Sequence, residues 1–209
     1  MLFDIRLSLA CSTNPKPYSF TPRYGVGPYH VKINLGFENG SQTESILVEL
    51  APLHFMPHTI KVFLDMVKKK AYHGGTFIIS RKHILVGGPI DVHDKENNQQ
   101  LEDRMLDEGY FPNGSLLFGE YTPEYPHAPF TIGFNQIGGP IFYINTQDND
   151  QLHGDMGDQQ KKKEGDPCFA KVIEGFDVIE RISNISTNAD DSLESPVYIT
   201  GAQVLRLAS

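Results

Sequence analysis

"CFAKVIEGFDVIERI", residues 168–182, changes character at its single glycine. Before Gly175 the run Cys168–Glu174 is apolar and β-branched, as a buried strand is; after it, "FDVIERIS" reads as a helix. A strand passing directly into a helix at one glycine fixes a corner of the fold.

Upstream lie further short strand-like runs: "TFIIS" (76–80), "HILV" (83–86), "SLLF" (115–118), "FTIGF" (130–134) and "IFYIN" (141–145). Downstream, "VYITGAQVLRL" (197–207) closes the set. Nearer the amino terminus, "YHVKINLGF" and "ESILVELA" flank "ENGSQT", the composition of an antiparallel hairpin with an open loop. "MPHTIKVFLDMVKKK" (56–70) reads as a helix. Pro57 suits its first turn, where a missing N–H costs nothing. Ile60, Phe63, Leu64 and Val67 recur on one face, and Lys68, Lys69 and Lys70 offset the negative end of the dipole. Many short strands with two helices point to a β-barrel or sandwich and not to alternating βαβ units. Residues 91–112 and 147–166 read as long polar loops, and residues 1–28 as an arm or linker ahead of a domain at 29–207.

Composition narrows the function. At 209 residues and 39% hydrophobic the chain can bury a substantial core. A net charge of -8 and a pI near 5.4 argue against a nucleic-acid surface, which needs clustered cations. Lys161–Lys163 reads as a solvated loop tip. No apolar run reaches the roughly 20 residues of a spanning helix, so a soluble protein with no membrane segment is expected. Cys11 and Cys168 make no disulfide framework, and Cys168 reads as a buried thiol. Three acceptor patterns, at Asn39, Asn113 and Asn184, point toward a secretory lumen, although two double as Asn-Gly turns.

The local sequences resemble the cyclophilins. "ILVELAPLHFMPHTIKVFLDMV" (46–67) is similar to the family's strand-to-helix passage, with Thr59 and Phe63 in its Thr-x-x-x-Phe pattern. "YHGGTF" (72–77) resembles the Tyr-x-Gly-[Ser/Thr]-x-Phe segment, and Gly87-Gly88 the glycine pair that follows. In residues 168–182, Phe169, Lys171, Val172, Gly175, Asp177 and Val178 all fall in the family's register. The resemblance implies a mainly β fold: a closed eight-stranded antiparallel barrel with two capping helices.

It also implies peptidyl-prolyl cis-trans isomerisation. That reaction breaks no bond; its barrier of roughly 18–20 kcal/mol is lost amide resonance. An apolar pocket for the proline ring and an arginine directed at the imide suffice, with no cofactor or metal. Carried over residue by residue, however, the arginine position is Ile79, the two pocket glutamines are Val86 and Ile141, and the histidine position falls near Asp166. There is no tryptophan. Tyr143 stands where the pocket phenylalanine stands, and His83, Asn135, Gln136 and Phe169 complete the implied peptide site. The segment between Phe77 and Gly87 is one residue short of the family's spacing, and Arg81, two residues beyond Ile79, could supply the guanidinium from a shifted register.

The expectation is a domain that binds proline-containing peptide with isomerase activity weak or lost. Its alternatives are an active isomerase using Arg81, and a non-enzymatic interaction module of a larger secretory or membrane-attached protein. "DNDQLHGDMGD" fails as a calcium loop, because a loop begun at Asp148 puts Leu152 fifth and Gln159 twelfth. His54, His58 and His73 lack zinc spacing.

Overall fold

The computed structural model describes residues 27–37, 43–89, 119–134, 140–154 and 165–205. The run "SLLF", Asn135, Gln136, Cys11, Lys161–Lys163, Asn39 and Asn113 lie outside them.

β1 (His30–Phe37) and β2 (Thr43–Leu50) form the expected hairpin, with Val31 opposite Val48 and Ile33 opposite Ile46. All four of those side chains are buried, while Lys32 and Asn34 alternate with them. β3 (Thr76–Arg81), β4 (Ile84–Gly88), β5 (Thr131–Phe134), β6 (Phe142–Asn145), β7 (Cys168–Glu174) and β8 (Ser192–Leu205) complete a closed barrel ordered β1-β2-β7-β5-β6-β4-β3-β8. Every pairing is antiparallel. Closure leaves no unpaired strand edge among the described residues.

α1 (Pro57–Lys68) follows β2 and buries the anticipated Ile60, Phe63, Leu64 and Val67. Phe63 meets the rings of Tyr72, Phe134 and Phe169. The helix has no capping side chain of its own. Its orphan donors are satisfied from afar: the Glu120 carboxylate accepts from the N–H groups of His58 (3.2 Å) and Thr59 (2.8 Å). At the other end of β2, Gly175 turns β7 into α3 (Phe176–Ser183). Its φ is +86°, and a Cβ there would stand 2.7 Å from the Ser45 carbonyl oxygen, so glycine is required on both counts. α3 buries Val178, Ile179 and Ile182. The two helices thus pack at opposite ends of β2, around one continuous core.

Two features depart from the sequence reading. A single helical turn, α2 (Asp150–His153), forms inside the stretch read as loop; it buries none of its residues and so carries no apolar period. β8 begins at Ser192, five residues ahead of the expected start at Val197. Pro196 argues against a strand there, but it falls where the β3–β8 register shifts, between the Ser192 and Val197 pairings, so its missing N–H is tolerated. No helix of the described residues is long and apolar enough to cross a membrane.

Candidate functional site

A bulge decides what β3 presents. Phe77 pairs with Gly87 and points into the core, as does Phe142 opposite Gly87. The register then shifts between Phe77 and Ile79. Because strand faces alternate with period two, the extra residue turns Ile79 to the outside. Ile79 joins Val86, Tyr143, Gly133 and Cys168 in one row across β3, β4, β6, β5 and β7. The next row holds Arg81, Ile84 and Asn145. Ile79, His83, Val86 and Ile141 are half-buried, and the Ile141 backbone lies against Gly88.

Tyr143 is buried at 2% exposure although it faces outward. A Cβ on Gly133 would stand 2.6 Å from its hydroxyl and Cζ, so glycine opposite makes room for the ring. The rings of His127 and His153 lie over it, centroids 6.0 and 4.5 Å away. Its hydroxyl donates to Asp166 Oδ2 at 3.2 Å, and the same oxygen accepts from His153 Nδ1 at 2.9 Å. His127 Nε2 donates to the Asp166 carbonyl oxygen at 3.1 Å, which leaves Nδ1 to accept. The Tyr143 hydroxyl (3.4 Å) and Asn145 Nδ2 (3.5 Å) stand nearest to it; the hydroxyl hydrogen goes to Asp166, which leaves Asn145 as the donor, and its other hydrogen goes to Thr131 Oγ1 (2.9 Å). Asn149 Nδ2 donates to Asn145 Oδ1 (2.8 Å) and to the His83 carbonyl (2.6 Å), tying α2 to the barrel.

Burial dominates the electrostatics. It pushes the Tyr143 phenol well above its ordinary value, with the Asp166 carboxylate acting in the same direction. It holds His127 below the usual imidazole range, chiefly by desolvation and against the raising effect of its bond to Asp166. His83 is lowered first by burial and then by the neighbouring His153 and Arg81. The Cys168 thiol, donating to the Pro126 carbonyl, is pushed up to about 12 by burial. An inert thiol and a protonated phenol offer no nucleophile, and no metal-ligating group of three appears among the described residues.

The structure brings Ile79, Val86, Ile141, His83 and Tyr143 to one side of the barrel. It sends Phe169 elsewhere: the ring is fully buried, stacked on Phe134 at 4.4 Å, in the core beneath α1. Asn135 and Gln136 are outside the described residues. Arg81 lies in the outer row, but its Nε donates to Asp191 Oδ2 at 2.9 Å, with both side chains about half exposed. Asp191 immediately precedes β8, on the side of β3 opposite β4 and β6. Tyr143 is two strands away in the other direction, about 10 Å at ordinary strand spacing. The other described arginine, Arg181 on α3, is paired with Glu44 on β2. His127, Asn149 and His153 escape sequence reasoning because they come from polar segments with no sustained period, whereas Asn145 ends β6 two residues beyond Tyr143 on the same face. Asp150, part of the calcium-like run, instead accepts from the His127 backbone N–H at 3.3 Å.

A closed eight-stranded antiparallel barrel with helices packed at both ends is the cyclophilin fold. Solved structures agree: the chain superposes with a TM-score of 0.59 on a Cryptosporidium parvum cyclophilin-type peptidyl-prolyl cis-trans isomerase, solved in the presence of the dipeptide Ala-Pro, at 16% identity over 85% of this chain and 99% of that one. A second structure of a Cryptosporidium parvum cyclophilin-type isomerase gives 0.59 at 15% identity, over 86% and 100%. Comparison with curated proteins found no match. The family model for cyclophilin-type peptidyl-prolyl cis-trans isomerases matches residues 36–204. The chain belongs to that family.

Proposed function

We propose that the outer face of β3, β4 and β6 binds a proline-containing segment, and that isomerase activity there is weak or lost. The supporting observation is the placement of Arg81, whose guanidinium is directed to Asp191 and away from Tyr143. Among the described residues no arginine stands over the Tyr143 face. A positioned charge-assisted donor is typically worth about 2.7–4 kcal/mol in a transition state, or roughly 10²–10³ in rate. Twisting the imide without one leaves most of the barrier in place.

Binding draws on different groups. Ile79, Val86 and Ile141 offer half-buried apolar surface, while His83, His153 and Asp166 supply polar atoms at its edge. Proline peptide is the occupant that the family relationship favours. Titration of the isotope-labelled chain with a short Ala-Pro peptide tests this. Saturable shifts at Ile79, Val86 and His153 are expected, and a peptide that leaves them unmoved would favour the interaction-module alternative.

A further inference from the structure

Phe176, at the start of α3, is one of the two most exposed large apolar side chains among the described residues. It meets Phe130 edge-on, with centroids 4.9 Å apart. Phe130 itself sits at φ +65°, a strained conformation for a bulky residue. Two hydrogen bonds hold it there: its N–H to the Asn145 carbonyl (2.7 Å), and its carbonyl from the Val172 N–H (2.9 Å). The strain delivers the Phe130 ring to the wall of a cavity of about 260 Å³, lined also by Thr146, Ile179, Glu180, Ser183 and Asn184.

The lining has a definite polarity. The Thr146 hydroxyl donates to the Lys82 carbonyl and the Ser183 hydroxyl to the Ile179 carbonyl, so both oxygens have only acceptor capacity left. Glu180 is exposed, and its carboxylate is acceptor-only. The Asn184 amide is the one lining side chain with donors of its own, and Asp177, one turn earlier on the helix and outside the lining, is a second exposed carboxylate nearby. Neither acid has an ion pair among the described residues, because the nearby Arg181 is engaged by Glu44 and lies 4.0 Å over the Phe37 ring. Aromatic and aliphatic walls, several acceptors and uncompensated negative charge select a flat, multi-donor cation on an apolar stem. The volume falls short of the roughly 300–1,000 Å³ of small-molecule sites, which favours one long side chain.

We propose that this cavity binds an arginine side chain presented by a segment of a partner protein. The site shares no residue with the proposed proline-binding face, and the two stand or fall separately. The test titrates the isotope-labelled full chain with acetyl-Ala-Arg-Ala-amide and with its citrulline counterpart, which keeps the shape and loses the charge. The arginine peptide is expected to shift the amides of Phe130, Thr146 and Asn184 saturably, and the citrulline peptide to bind about tenfold or more weakly. Glu180→Gln should weaken the arginine peptide by roughly tenfold with the thermal midpoint unchanged, since the side chain is exposed. Equal affinity for the two peptides, an unaltered affinity in Glu180→Gln, or shifts confined to other residues would overturn the assignment.

Discussion

The Tyr143 hydroxyl donates to Asp166 at 3.2 Å. Tyr143 is buried at 2% exposure, so removing this carboxylate would take away the principal acceptor of a buried O–H. The pair is therefore expected to be energetically coupled. In a double-mutant cycle, Tyr143→Phe and Asp166→Ala should each lower stability by about 1–3 kcal/mol and combine less than additively, with a coupling of at least about 0.5 kcal/mol. Strict additivity in urea unfolding would show that the bond contributes nothing specific.

Stability should fall on mild acidification. His127 has a folded-state pKa below the unfolded value of about 6.5, because burial disfavours the imidazolium. Protons therefore bind the unfolded chain first, and the contribution of neutral His127 is complete above about pH 6.5 and lost as pH falls through its lower folded value. His83, lowered for the same leading cause, adds in the same direction. The urea midpoint should be level from pH 8 to 7 and decline toward pH 5, with a shallower decline in His127→Gln. A midpoint that rises on acidification contradicts the assignment.

Much of the fold is legible in the sequence, because its determinants are local. Pro57 with Ile60, Phe63, Leu64 and Val67 specifies α1, and Gly175 marks the β7-to-α3 corner with a conformation that only glycine meets easily. The site is legible only in part. Ile79 faces outward because a bulge after Phe77 adds one residue, and a bulge leaves no signature in a run of isoleucines. The cover over Tyr143 comes from His127, His153 and Asp166, which lie in three separate polar segments and meet only through the tertiary fold. Pro196 misplaces the start of β8 because strand propensity does not see a register shift.

The Glu120 cap on α1 is another long-range contact, 61 residues from Thr59. Loss of such a cap costs about 0.5–2 kcal/mol, and in a chain of this size each kcal/mol moves the midpoint by roughly 2–4 °C. Glu120→Ala should lower the melting temperature by several degrees and Glu120→Gln by less, since an amide oxygen still accepts. Calorimetry showing no loss in Glu120→Ala would mean that water caps the helix equally well.

Cys168 should resist alkylation. With its thiol buried and pushed up to about 12, almost no thiolate exists at pH 8. Peptide-resolved mass spectrometry after maleimide treatment should find Cys168 unmodified in the native chain and modified in urea. Rapid labelling of the folded protein would place the thiol in reach of solvent.

The proposed function is a proline-binding face without an effective electrophile on a chain of the cyclophilin family. Uncatalysed X-Pro exchange takes tens to hundreds of seconds, slow enough for acceleration to be read directly by exchange spectroscopy on an Ala-Pro peptide. The measurement compares the wild-type chain with Arg81→Ala at the same concentration. Peptide binding is expected, with exchange within a few-fold of the uncatalysed rate and no difference between the two proteins. Acceleration of roughly 10²–10³ that disappears in Arg81→Ala would contradict it and make Arg81 the catalytic guanidinium.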